Sequence, residues 1–312
     1  MATDRSLPKK IAVLMGGPGS ERDVSLATGR GVSKALRSLG AEVVDVDVRD
    51  ENFALPKDVD LAFITIHGTF GEDGQLQEIL EERGVPYTGD AVESSLAAFD
   101  KILSKEKFRE HNVVTPEWEV VEVGQQPTIS VPLVVKPARQ GSTVGVVIVK
   151  NASELDSAMT EAGKYDRKLL IEKFVPGREL TIGVLGDQAL PILEIIPKGG
   201  FYDFNNKYPF LNPQGGGGAE HVCPAKIDPT RTKQIQEQAL HAFRALGLVV
   251  YGRVDVLLSD SGEPFVLEAN TIPGMTEASL LPEAAAAAGI NYVDLCARII
   301  ALSFGRMERS PR

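Results

Sequence analysis

The first third of the chain alternates short apolar runs with helix-patterned stretches, and this alternation restricts the fold more than any other feature. "KKIAVLMGG" precedes an amphipathic stretch from Arg22 to Leu39 closed by Gly40, and then come "AEVVDVDV", "DLAFITIHG" and "GQLQEILEERG". Strands separated by helices return parallel, because a parallel pairing needs a crossover, and the outcome is an open α/β sheet. Ligands of such sheets gather at the carboxyl ends of the strands, where Gly16-Gly17 and His67-Gly68 fall.

The pattern then changes. A helix is expected from about Ser94 to Glu110, and another near Ser153 to Gly163. Closely spaced strands lie in "EWEVVEV", "PLVVKPA", "TVGVVIVK" and "KLLIEKFV", which indicates a smaller antiparallel unit ending near Val175 to Glu179. The last third offers "ELTIGVLG", "ALPILEIIP", a helix from Pro229 to Leu246, a hairpin, and helices from about Thr276 to Ala288 and Asn291 to Phe304. Between them, Lys198 to Val222 has no periodicity, so it reads as a functional loop or a disordered one. The expected division is 1–92, 93–177 and 178–312, with a loop at 198–222. The class is α/β in the first unit and α+β overall.

With 312 residues, 43% of them hydrophobic, the chain can bury sizeable cores. A net charge of -10 argues against holding nucleic acid or anionic lipid by broad electrostatics. The two cysteines, Cys223 and Cys296, stand far apart in unlike contexts, which favours a reducing compartment over a disulfide framework. "IAVLM" is too short for the core of a signal peptide, and "LCARIIALSF" is interrupted by Arg298. A soluble cytoplasmic protein with no membrane or nucleic-acid partner is expected.

The most informative local pattern is "YGRVDVLLSDSGEPFVLEAN", two apolar runs around the turn signal "SDSGE". A turn between Ser261 and Gly262 sets Asp255 opposite Glu268 and Arg253 opposite Asn270, all four on one face. The other face collects Val254, Val256 and Leu258 against Phe265, Leu267 and Ala269, an apolar surface that supports the register. Two carboxylates directly opposed repel, so a positive charge belongs between them. Arg253 alone could supply it. Mg²⁺ could too, since it takes one or two carboxylates and completes its shell with water and phosphate oxygens; Asn270 adds an oxygen on that face.

These stretches resemble, in order and over almost the whole chain, the ATP-grasp superfamily and within it the D-alanine–D-alanine ligase family. The likeness runs through "GGPGSERDVSL", "IHGTFGEDGQLQ", "PYTG", Asp100-Lys101, "VVKPARQGSTVGV", "LIEKFVPGRELT", "FYDFNNKYPF", "CPA", "GRVDV" and "LEANTIPGMT". The resemblance implies that ATP phosphorylates the carboxylate of one D-alanine and that the amine of a second displaces phosphate, giving a dipeptide for peptidoglycan. It places Lys101 and Lys136 on the ATP phosphates beneath the turn containing Ser142. Adenine falls to Glu172, Lys173, Phe174 and Val175, and the ribose to Glu179. Asp255, Glu268 and Asn270 hold two Mg²⁺ ions, for which Mn²⁺ is a possible substitute. Arg253 and the backbone N–H of Gly274 steady the oxyanion, and Ser279 and Leu280 receive the second carboxylate. Lys207 adds a cation nearby, and Tyr208 on the loop favours an amine nucleophile over the hydroxyl of D-lactate. The family also implies a homodimer through the first domain.

The chain departs from the family at Thr143, where serine is common, at Phe204 and Asn205-Asn206, where "YEA" is usual, and in the "GGGG" of the loop. A D-alanine–D-lactate or other D-amino-acid ligase is the alternative on the same fold. A nicotinamide oxidoreductase is suggested only by the early glycine turn, which lacks the spaced G-x-G-x-x-G pattern. That turn, "GGPGSERDVS", reads as a helix start with Ser20 as N-cap and acids in the first turn. Glu21 would repel phosphate and suits a cation; the family puts the ammonium of the first D-alanine there, with Glu21 linked through Ser142 to Tyr208 and His67 nearby.

Overall fold

The structure is a computed structural model that describes residues 7–197, 218–276 and 278–309. Strands β1 (Lys10–Gly16), β2 (Glu42–Val48) and β3 (Leu61–Ile64) form a parallel sheet in the order β2-β1-β3. Helix α1 (Arg22–Ser38) makes the crossover from β1 to β2, and α2 (Gln75–Glu82) follows β3. β1 is a continuous apolar run because both of its faces are covered: Ile11, Ala12, Val13 and Leu14 are wholly buried. Glu21, not Ser20, occupies the N-cap position of α1, and no side chain caps that helix. The expected capping by Ser20 is therefore absent.

The single helix expected between Ser94 and Glu110 is two helices, α3 (Val92–Phe99) and α4 (Lys101–Glu110). Asp100 breaks them with an extended backbone, and its carboxylate accepts from the N–H groups of Ile102 and Leu103. Such a cap stabilises a new helix start by satisfying donors that have no partner within the helix. It also sets Lys101 at the first position of α4.

The central unit contains β4 (Trp118–Glu122), β5 (Leu133–Pro137), β6 (Val147–Val149), α5 (Leu155–Ala162) and β7 (Lys168–Lys173). Its antiparallel sheet runs β4-β7-β5-β6, with Ala158, Met159 and Ala162 of α5 packed on Leu133, Val135 and Ile171. After the short connection Phe174-Val175-Pro176 the chain enters β8 (Gly177–Leu185), the start of a second sheet. There β9 (Gln188–Ala189), β10 (Leu193–Pro197), β11 (Ala219–Val222), β12 (Tyr251–Ser259) and β13 (Pro264–Asn270) join it. The order is β11-β10-β8-β12-β13, with β9 on β8, and α6 (Pro229–Ala245) covers one face through Ile235, Ala239, Ala242 and Phe243.

The hairpin of β12 and β13 pairs Arg253 with Asn270 and Asp255 with Glu268, as expected. Beyond Asp255 the register shifts, and Val256 faces Val266, which leaves Leu267 as an extra residue. This bulge corrects the expected apolar face: Val266 and Pro264 are buried, whereas Phe265 and Leu267 are only half-buried. Helix α7 (Leu280–Ala287) begins later than expected, and α8 (Tyr292–Arg309) closes the fold against α1. Among the described residues no single helix is long and apolar enough to cross a membrane.

Candidate active site

Two cavities meet at the polar face of the hairpin. The first, about 270 Å³, opens between the central and carboxyl-terminal sheets; Lys101, Lys136, Glu172, Glu179, Asp255 and Glu268 line it, together with Lys173, Phe174 and Val175 of the connection. Leu267 lines it as well, a consequence of the bulge that turned it from the core. The second, about 440 Å³, is walled by Glu21, His67, Glu72, Ser142, Arg253 and Asn270 and by Gly274, Thr276, Ala278, Ser279 and Leu280.

Glu172 organises the first cavity. It is 1% exposed and its carboxylate lies between the ammonium groups of Lys105, 2.5 Å away, and of Lys136. Burial alone would raise its carboxyl, but the two cations prevail and hold it below its ordinary value. For Lys136 burial works toward the neutral amine, and Glu172 with Glu268 overcomes it, so the lysine stays charged. Lys101 Nζ sits 3.0 Å from Glu268 Oε2 and donates to the Gln140 carbonyl at 2.8 Å. Lysines so clustered over a cavity of this shape suit a ligand carrying several negative charges.

Asp255 and Glu268 are the opposed carboxylates, and each has its own cation. Arg253 makes a two-pronged contact with Asp255, Nε to Oδ1 and Nη2 to Oδ2, both at 2.9 Å, while Lys101 serves Glu268. Thr181 Oγ1 and Asn270 Nδ2 also donate to Asp255, at 2.6 and 3.2 Å. The donor set Asp255, Glu268 and Asn270 is all-oxygen and short of a full shell, which fits a hard divalent ion that keeps water and ligand oxygens. Among the described residues no group of three His, Cys, Asp or Glu that could hold a metal ion occurs.

In the second cavity, Ser142 reaches across from the central unit and donates to Glu21 Oε1. Ser142 and Thr143 hold φ of +50° and +65°, values costly for residues with a Cβ and concentrated at ligand-gripping turns. Gly68 holds φ of +68°, a conformation side chains rarely adopt, and a Cβ there would also press on Glu21 Oε2 at 2.5 Å. Behind Glu21, His67 gives Nδ1–H to the Ile272 carbonyl at 2.8 Å and accepts the Thr28 hydroxyl on Nε2 at 2.9 Å. Burial pushes its pKa down, against the pull of Glu21, so the imidazole is neutral.

Glu72 is the cavity residue that the sequence reading passed over. It belongs to "GEDG", directly after the strand end at His67, and a carboxylate in that position was the available signal. Burial, reinforced by Glu21, raises its carboxyl well above the ordinary 4.5. The folded protein then binds a proton that the unfolded chain releases, so this group's contribution falls as pH rises above about 4.5. Glu72→Gln is accordingly expected to be at least as stable as the parent at pH 8, with the difference shrinking toward pH 4; denaturant midpoints at both pH values check this.

Ser279 stands at the N-cap position of α7 but does not cap it. Its hydroxyl instead accepts from the Thr276 N–H at 3.0 Å and meets the Thr276 hydroxyl at 2.8 Å, which leaves the first N–H groups of α7 toward the cavity side without a side-chain cap. Lys207 and Tyr208, with nearly all of the expected loop, lie outside the described residues.

Two family descriptions match the chain: D-ala D-ala ligase N-terminus over residues 41–90 and D-ala D-ala ligase C-terminus over 97–301. A D-alanine–D-alanine ligase of Methylacidiphilum infernorum is 47% identical over 303 residues, covering 97% of this chain and 98% of that protein. One from Syntrophotalea carbinolica is 46% identical over 298 residues, with 94% and 95% covered. Among solved structures, D-alanine–D-alanine ligase from Bacillus anthracis complexed with ATP superposes with a TM-score of 0.84 at 34% identity, covering 98% of this chain and all of that one. VanG D-Ala:D-Ser ligase from Enterococcus faecalis reaches 0.84 at 27% identity, with 95% and 100% covered.

Proposed function

The chain belongs to the D-alanine–D-alanine ligase family, and from that premise we infer that the two cavities are the halves of one ligase site. The protein is an ATP-dependent ligase that joins two D-alanines into D-alanyl-D-alanine for cell-wall synthesis. The observation that carries the assignment of residues is the shared hairpin face. Asp255 and Glu268 open on the lysine-lined cavity, and Arg253 and Asn270, one step along the same face, open on the other. Two residues along a strand is roughly 7 Å, which puts a phosphoryl donor and a carboxylate acceptor within transfer reach.

ATP lies in the smaller cavity, its adenine against Glu172, Lys173, Phe174 and Val175, its ribose on Glu179 and its phosphates on Lys101, Lys136 and the Ser142 turn. Asp255, Glu268 and Asn270 hold two Mg²⁺ ions, or Mn²⁺ in their place, which supply charge neutralisation on the phosphates. The first D-alanine rests its ammonium on Glu21, beside His67. Its carboxylate oxygen takes the terminal phosphoryl group as ADP leaves; the amine of the second D-alanine then forms the C–N bond and phosphate departs. Arg253 and the Gly274 N–H receive the charge that develops on the carbonyl oxygen. Ser279 and Leu280 hold the second carboxylate, and Lys207 and Tyr208 are the loop residues that the family assigns to the same substrate.

Glu21→Gln tests the donor half. The Michaelis constant for the first D-alanine is expected to rise at least tenfold, as for a lost hydrogen bond between charged groups, with that for ATP within twofold. Equal changes for both would remove Glu21 from the donor site. The division into 1–92, 93–177 and 178–312, a cytoplasmic location and a homodimer through the first domain belong to the same reading. For the dimer, the supporting feature is the apolar hollow where Leu7, Pro8 and Leu39 of the first unit meet Ala297, Ile300 and Phe304 of the last helix, with Leu39 at 39% exposure. Light scattering at micromolar concentration checks it, and a monomer would refute it.

A further inference from the structure

We propose that His221, held in place by Glu283, is a positioning residue for the second D-alanine: it receives that substrate's carboxylate and so selects acceptors that carry one. The inference rests on the reading above that Ser279 and Leu280 border the acceptor carboxylate. It adds a side chain that no motif had marked.

On β11, Ala219 and His221 share one face, since alternate residues of a strand point the same way. Ala219 and Cys223 pack beside Leu193, Ile195 and Leu280, so His221 lies on the face turned to the start of α7. Its Nδ1 is 2.8 Å from Glu283 Oε2. Glu283 follows Ser279 by one helical turn, its N–H bonding the Ser279 carbonyl at 3.2 Å, and it therefore stands on the same side of α7 as Ser279. Both side chains line the larger cavity, partly exposed at 23% and 34%.

Charge decides what the pair does. A carboxylate one turn from the acceptor's own carboxylate would repel it, so Glu283 by itself has the wrong sign for this subsite. Bonded to Nδ1, it instead fixes the ring's orientation, so that a protonated ring offers Nε2–H as a charged donor to an incoming carboxylate. Among the described residues Nε2 has no other partner. In that form the dyad is neutral as a whole and presents its positive end to the substrate.

The experiment uses the whole enzyme with saturating ATP and measures the Michaelis constants of the first and second D-alanine separately, then repeats the acceptor series with D-alaninamide, which lacks the carboxylate. His221→Gln is expected to raise the constant for the second D-alanine about tenfold, the effect of one hydrogen bond to a charged group, with ATP and the first D-alanine within twofold. His221→Lys, which keeps a cation, should stay within about threefold of the parent. The preference for D-alanine over D-alaninamide should shrink in His221→Gln by the same factor, because the two deletions remove one interaction. Glu283→Gln shifts the acceptor constant in the same direction and serves should the His221 variants fail to fold. An unchanged acceptor constant, or an equal loss with D-alanine and D-alaninamide, overturns the proposal while leaving the ligase reading intact. No dipeptide from the unaltered enzyme would overturn that reading instead.

Discussion

Arg253→Ala is expected to fold and to lose a hundredfold to a thousandfold in turnover, roughly the effect of deleting one preorganised oxyanion donor. The guanidinium is locked by two 2.9 Å bonds to Asp255 and so costs no reorganisation when charge appears on the substrate. The fold should persist, because β12 remains paired on both sides, with β8 and β13, and Asp255 keeps Thr181 and Asn270 as donors. Arg253→Lys is a sharper comparison. It restores a point charge without the planar fork, so recovery well short of the parent rate would show that orientation matters as much as sign. Near-parental turnover in Arg253→Ala, at an unchanged melting temperature, would take the residue out of the chemistry.

Glu172→Gln should carry the largest penalty to stability. Removing one partner of a buried ion pair leaves an uncompensated charge and costs about 3–5 kcal/mol, and here two ammonium groups, on Lys105 and Lys136, lose the same carboxylate. Burial pushes Lys105 toward the neutral amine, with Glu172 as the main opposing influence, so the variant is expected to deprotonate it more readily and to bind ATP more weakly. The pH dependence has a definite sign. Because the folded carboxyl sits below the ordinary 4.5, its stabilisation is complete above that pH and is lost as pH falls through and below it. The gap between parent and variant should therefore be widest near neutrality and narrow in acid. Denaturant midpoints at pH 7 and pH 4 check this, and equal stability at pH 7 would contradict it.

Much of this was legible in the chain because periodicity and sterics act locally. The parallel order of β1, β2 and β3 follows from apolar runs separated by a helix, and the Asp255–Glu268 rung follows from turn chemistry and alternation. Legibility stopped where one residue outweighs a pattern. Asp100 is a strong cap placed inside a helical stretch, and local hydrogen bonding by its carboxylate split α3 from α4. The bulge at Leu267 is invisible to a period-two count, yet it moves a core candidate into a cavity wall. The resemblance put Glu172 on the adenine, and only the fold reveals that Lys105, far away in sequence, approaches it. The same holds for His221 and Glu283, which are joined only when β11 packs beside α7.

The most direct test of the central account is the fate of the oxygen atoms in the first D-alanine's carboxylate. With both of those oxygens labelled as ¹⁸O, transfer of a phosphoryl group to one of them, followed by amine attack, sends that oxygen out with the phosphate. Mass spectrometry of the products should find one labelled oxygen in inorganic phosphate for each D-alanyl-D-alanine formed. Dipeptide accompanied by unlabelled phosphate would mean that no acyl phosphate forms between the two cavities.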